Sequence, residues 1–143
     1  MNTKKYIAFD IGDKRVGIAV SDPFGNMAMP LETYNRKNFA EDIKYLVKKA
    51  EERGADVIVC GVPLNFDGTK SEQTEKTLSF IEEIKKNTAI KTDVQDERFS
   101  TMDAHRVLIS EDMRRDKRKK VVDAVAASFI LEDYMRRQNL TNK

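Results

Sequence analysis

Apolar and polar positions alternate at the start of the chain. Tyr6, Ala8 and Asp10 share one face of a predicted strand over Lys5–Ile11, and Ile7, Phe9 and Ile11 share the other. Gly12-Asp13-Lys14 reads as a tight hairpin connection, with Arg15–Ser21 as the returning strand. Met27–Tyr34 is a third strand whose Pro30 predicts an edge position or an irregularity. The period then becomes helical. Asn38 can cap a helix with Glu41 three residues on, Ile43, Leu46, Val47 and Ala50 recur along one side, and Gly54 sits where a terminating glycine belongs. Asp56–Val62 is an apolar run suited to a strand buried on both faces. A loop over Pro63–Lys70 leads to a helix from Ser71 to about Lys86, with Leu78, Ile81 and Ile84 inward. Thr92–Glu97 is a strand, Ser100 or Thr101 caps a helix to about Ile109, and a basic connector over Arg114–Lys120 enters a last helix that ends near Arg137. The order βββαβαβαα predicts an α/β fold: a mixed five-stranded sheet with an antiparallel start and helices packed on it. No stretch rich in Pro, Gly or Ser divides it, so residues 1–143 are expected to form one domain.

Composition narrows the chemistry. A chain of 143 residues can bury a core without disulfides or a structural metal. One cysteine, Cys60, and one histidine, His105, leave no disulfide framework and no zinc site of nitrogen and sulfur ligands. Any metal would fall to carboxylates, which favour Mg²⁺ or Mn²⁺. The first apolar run is too short for a signal peptide and nothing approaches a membrane span, so a cytoplasmic protein without a membrane partner is expected. The net charge of +2 is unevenly spread: residues 1–100 carry −1 and residues 101–143 carry +3.

Three acidic positions resist a purely structural account. Asp10 closes an apolar strand, where a carboxylate is costly unless paired, protonated or metal-bound, although an acid that turns the chain before Gly12 is the plain alternative. Asp123 lies inside the apolar helical run VVDAVAA, past the first turn if the helix begins near Lys117, where the helix N-terminus no longer favours an acid. The third comes from Asp96-Glu97, whose side chains point to opposite faces; parity alone does not choose between them. Acids from three elements that converge can hold one or two divalent cations. Such ions activate water and stabilise the leaving oxygen of a phosphodiester.

Basic residues supply a matching partner. Arg114, Arg115, Lys117, Arg118, Lys119 and Lys120 crowd into seven residues just before the segment of Asp123, and Lys14 and Arg15 follow Asp10. Together they are candidates to hold a nucleic-acid backbone. The Pro63–Lys70 loop offers Gly68 and a helix N-terminus as a weaker phosphate site, without a Walker-type Gly-Lys-Ser/Thr. Cys60 reads as a small core residue, and His105 has no catalytic neighbours in the sequence.

Four segments resemble the YqgF or RuvX family of the RNase H-like superfamily. They are FDIGDKRVGIAVSDP from Phe9, GVPLN with Asp67-Gly68, DERFST from Asp96, and KVVDAVAA from Lys120, in that order along nearly the whole chain. The resemblance implies an RNase H-like fold and a nuclease whose metal site is Asp10, Glu97 and Asp123, and it selects Glu97 over Asp96. Family members are described as Holliday junction resolvase-like or as processing the 5′ end of precursor 16S rRNA. Asp13 stands where a small hydroxyl residue is more usual, and Phe99-Ser100 replaces a more typical Leu/His-Thr pair.

The expected activity is therefore Mg²⁺- or Mn²⁺-dependent phosphodiester hydrolysis on structured nucleic acid, with precursor rRNA favoured over branched DNA. A ribosome- or RNA-binding factor with little cleavage is the alternative from another class, and a pure binding module would not need three acids. Asp-x-Gly near the start also opens sugar kinases and actin-like ATPases, but 143 residues cannot supply their two domains. A ribosomal particle is a possible partner, and the sequence is compatible with a monomer or a homodimer.

Overall fold

A computed structural model describes residues 4–24, 26–65, 67–97 and 115–141. The elements are β1 (Tyr6–Ile11), β2 (Arg15–Ser21), β3 (Ala28–Asn35), α1 (Phe39–Glu52), β4 (Val57–Val62), α2 (Glu72–Asn87), β5 (Lys91–Asp96) and α3 (Arg115–Thr141). The sheet order is β3-β2-β1-β4-β5, antiparallel from β1 through β2 to β3 and parallel from β1 through β4 to β5. This is the mixed sheet with an antiparallel start that the sequence pattern predicts. Pro30 lies on edge strand β3 beside a register shift at Ile18/Ala19, so the edge and the irregularity occur together.

Alternation along β1 divides the core in two. Ile7, Phe9 and Ile11 pack with Ile43, Leu46, Phe80, Ile81 and Ile84 under α1 and α2. Tyr6 and Ala8 pack with Ala126, Ile130, Leu131 and Tyr134 of α3 on the other face. Sandwiched between helices, β4 is buried along its whole length, as a central parallel strand requires. Cys60 is a core residue there, and burial pushes its thiol up to about 12.

The helix ends follow their capping residues. Asn38 accepts the Glu41 backbone N–H, and Gly54 ends α1 at φ 67° while the Gly54 and Ala55 amides return to Glu51 and Ala50. Ser71 and Thr74 form a reciprocal capping box on α2. The inward face of α2 is centred on Phe80, Ile81 and Ile84, with Leu78 only half-buried.

A buried ionic network fixes the β1–β2 turn to α1. Asp42, only 1% exposed, accepts from Tyr34 Oη at 2.9 Å, Arg36 Nε at 2.8 Å and the Lys37 amide at 2.9 Å. Arg36 also donates to the Gly12 carbonyl at 2.8 Å and lies over the Phe80 ring. Burial opposes ionisation of Asp42, but the Lys37 amide, Arg36 and Tyr34 together hold its pKa below the ordinary value. Burial and the carboxylate push Tyr34 up to about 12. Among the described residues, no helix is long and apolar enough to cross a membrane.

Candidate metal centre

Because β1, β4 and β5 run parallel, their C-terminal ends lie along one edge of the sheet, where open α/β sheets bind ligands. Asp10 is the penultimate residue of β1 and follows Tyr6 and Ala8 on the α3 face. Its neighbour on β2 is Gly17, its register partner. On the other side, Gly61 follows Cys60, the β4 partner of Phe9.

These two glycines shape the site. A Cβ on Gly17 would stand 1.8 Å from the Asp123 carbonyl oxygen and 3.0 Å from the Ala124 nitrogen. A Cβ on Gly61 would stand 2.5 Å from Glu97 Oε2 and 2.6 Å from Ile130 Cδ1. The missing side chains therefore admit the α3 backbone on one side of Asp10 and the Glu97 carboxylate on the other. Sequence reasoning missed both residues. An isolated glycine within a strand pattern is the signal that would have found them, because it marks close approach.

Register settles which acid of the β5 pair turns toward this face. Asp96 pairs with Val62, whose side chain belongs to the α1–α2 core, whereas Gln95 pairs with Gly61. Glu97, one residue past β5, continues the ladder by donating its amide to the Val62 carbonyl at 3.1 Å, and its carboxylate lies over Gly61. Its Oε1 is shielded from solvent. Asp123 is the ninth residue of α3, more than two turns from the helix start, so an N-terminal-turn role does not account for it. Its Oδ2 accepts from Arg15 Nε at 2.6 Å, with side-chain exposures of 22% and 30%.

A second latch secures β5, the edge strand that leads into Glu97. Tyr134 Oη donates to Asp93 Oδ2 at 2.8 Å, and Arg137 donates to the Val94 carbonyl at 3.1 Å. Burial of Asp93 raises its pKa, but the hydrogen bonds from Tyr134 and the Val94 amide outweigh it and lower the net value. Burial and the Asp93 partner raise the Tyr134 hydroxyl.

The cationic residues are placed differently from the sequence expectation. Arg115, Lys117, Arg118, Lys119 and Lys120 are not a connector: they form the opening turns of α3, which begins at Arg115. Lys and Arg are good helix formers, and their charge density in the sequence disguised that. Arg114, Ser100, Thr101, His105 and the helix expected up to Ile109 lie outside the described residues. Lys14 is exposed in the β1–β2 turn beside Arg15. In the Pro63–Lys70 loop the backbone donors turn inward: Gly68 N–H meets the Asn65 carbonyl at 2.8 Å and Thr69 N–H meets Asp67 Oδ1 at 3.0 Å. That arrangement does not present those amides to a phosphate.

Among the described residues the candidate donors at the sheet edge are carboxylates, the chemistry that suits Mg²⁺ or Mn²⁺, and the Gly61 gap seats one of them. Among the described residues, no three His, Cys, Asp or Glu side chains already stand at ligand spacing, and Asp123 is turned to Arg15. The residues fit such a cation by their chemistry, and side-chain adjustment, with Asp123 turning from Arg15, would be needed to bring them to ligand spacing.

The model of the RuvX family, described as Holliday junction resolvase, matches residues 4–137. The chain belongs to the RuvX family. A relative from Clostridium acetobutylicum, 44% identical over 131 residues, spans 92% of this chain and 97% of its own and is named "Putative pre-16S rRNA nuclease". A relative from Clostridium novyi with the same name is 40% identical over the same shares. Among solved structures, RuvC of Thermus thermophilus bound to a Holliday junction superimposes with a TM-score of 0.60 at 10% identity, covering 94% of this chain and 96% of that one. Fowlpox virus resolvase with junction DNA gives 0.54 at 20% identity, covering 94% and 98%. Those likenesses show the fold, which is RNase H-like. RuvX membership makes the chain part of a nuclease family, and the edge of the sheet where Asp10, Glu97 and Asp123 gather is its candidate centre.

Proposed function

We propose that this RuvX protein is a divalent-metal-dependent endonuclease and that Asp10, Glu97 and Asp123 hold the cation. The observation that carries this is the placement of three acids from β1, the end of β5 and α3 beside Gly17 and Gly61 at one edge of the sheet. Bound Mg²⁺ or Mn²⁺ would supply an activated water and charge stabilisation at the scissile phosphate. Lys14, Arg15 and the opening turns of α3 (Arg115, Lys117, Arg118, Lys119 and Lys120), together with Arg114, are the proposed backbone-binding groups, which position substrate without reading bases.

Precursor 16S rRNA is the favoured substrate, because the relatives at 40–44% identity are named for it, and a cut toward its 5′ end follows from the family resemblance. The site is proposed to act in the cytoplasm on free or ribosome-associated precursor. Branched DNA is the second reading, supported by the family description and by fold neighbours solved with junctions. Matched cleavage assays with Mn²⁺ on a precursor 16S rRNA fragment and on a four-way DNA junction decide between them, with Asp10→Asn as the control. Cleavage of the RNA at one site, lost in D10N, is expected; cleavage confined to the junction would replace RNA by branched DNA. Binding with no D10N-sensitive cleavage of either substrate would favour an RNA-binding factor instead.

A further inference from the structure

Arg15 places a positive charge inside the acidic site. It opens β2 two residues before Gly17, and its Nε reaches Asp123 Oδ2 at 2.6 Å across 108 positions of chain. The position of α3 does not depend on that bond, since Gly17 meets the Asp123 backbone directly and Ala126, Ile130 and Tyr134 pack on the sheet. The bond instead governs the carboxylate. A charge-assisted contact this short withdraws one of Asp123's two oxygens from any other cation, and the guanidinium repels a second positive ion nearby.

We propose that Arg15 and the divalent cation compete for the Asp123 carboxylate, so that cation binding releases Arg15 toward the substrate phosphate. The inference rests on the metal-dependent reading above. Once displaced, the guanidinium lies at the β1–β2 turn beside exposed Lys14, where a backbone phosphate can replace the lost carboxylate. Cation and nucleic acid then promote each other's binding through one side chain, and that coupling is reciprocal. If Arg15 only oriented Asp123 for the metal, its removal would weaken cation binding. Competition requires the opposite sign.

Titrating Mn²⁺ into the full chain, with free Mn²⁺ followed by electron paramagnetic resonance, tests this. Arg15→Gln is expected to bind Mn²⁺ roughly tenfold tighter than wild type. It should also lose the Mn²⁺-induced gain in affinity for a cleavage-resistant phosphorothioate oligonucleotide. Arg15→Lys, which keeps a charge with one compact ammonium, should fall between the two. Circular dichroism verifies that each variant is folded, and misfolding would lower Mn²⁺ affinity rather than raise it. Equal or weaker Mn²⁺ binding by folded R15Q, or R15K weaker than wild type, overturns the competition. If wild type binds Mn²⁺ and D10N does not, the metal site survives that result; if no variant binds Mn²⁺, the competition and the metal site fall together.

Discussion

Gly17 and Gly61 flank Asp10, yet their substitution should have different consequences. The atom that a Cβ at Gly17 would meet is a backbone oxygen 1.8 Å away, and no rotamer change removes it. Gly17→Ala must therefore push α3 off the sheet, with an expected loss of about 3 kcal/mol in urea denaturation. At Gly61 the obstacles are the far ends of Glu97 and Ile130, which can swing aside. Gly61→Ala should cost only about 1 kcal/mol, but it displaces a proposed metal ligand. A misplacement on the ångström scale lowers cleavage by roughly a hundredfold. Comparable stability losses at the two sites, or wild-type cleavage by G61A, would mean that Gly61 does not seat the Glu97 carboxylate.

At the scale of elements, the Asp42 network joins α1, the end of β3 and the β1–β2 turn that carries Lys14 and Arg15. Removing the buried acid by Asp42→Ala leaves Arg36 and Tyr34 without it, at an expected cost on the order of 3 kcal/mol near pH 7. The pKa of Asp42 is lowered in the fold, so the unfolded chain takes up its proton first on acidification. Its contribution is complete above the ordinary carboxylate value of 3.8 and is lost as pH falls through the lowered one. The stability gap between wild type and D42A should therefore narrow as pH falls from about 4 toward 2 in denaturant titrations. A gap of constant size would contradict an ionised, network-held Asp42.

Such elements also show what a sequence can reveal. The alternation in β1, the cap at Asn38 and the Gly54 stop are local signals, and each appears where expected. Asp42 gave no such signal, because an acid in the first turn of a helix looks like a solvated one until β3 and Arg36 fold over it. Glu97 was ambiguous for a related reason: strand parity separates it from Asp96, but only the β4–β5 register says which face is which. The start of α3 was misread because charge density resembles a loop when the long helix behind it is not in view.

On the scale of the whole molecule, a near-neutral chain concentrates its charges locally, with Arg15 reaching into the acidic edge. The sheet edge gathers acids from three elements around Asp10, while the start of α3 and the β1–β2 turn carry cations. A cation over the acids would turn that edge from repelling a polyanion to attracting it, with the basic residues holding the backbone alongside. The most direct measurement is single-turnover cleavage of a precursor 16S rRNA fragment by wild type, D10N, E97Q and D123N, each with Mn²⁺ and after chelation. Cleavage by wild type alone, abolished by chelation, with all three variants folded and inactive, is the predicted result. Retained cleavage in any one folded variant, or activity that survives chelation, would contradict a metal centre built from these three acids.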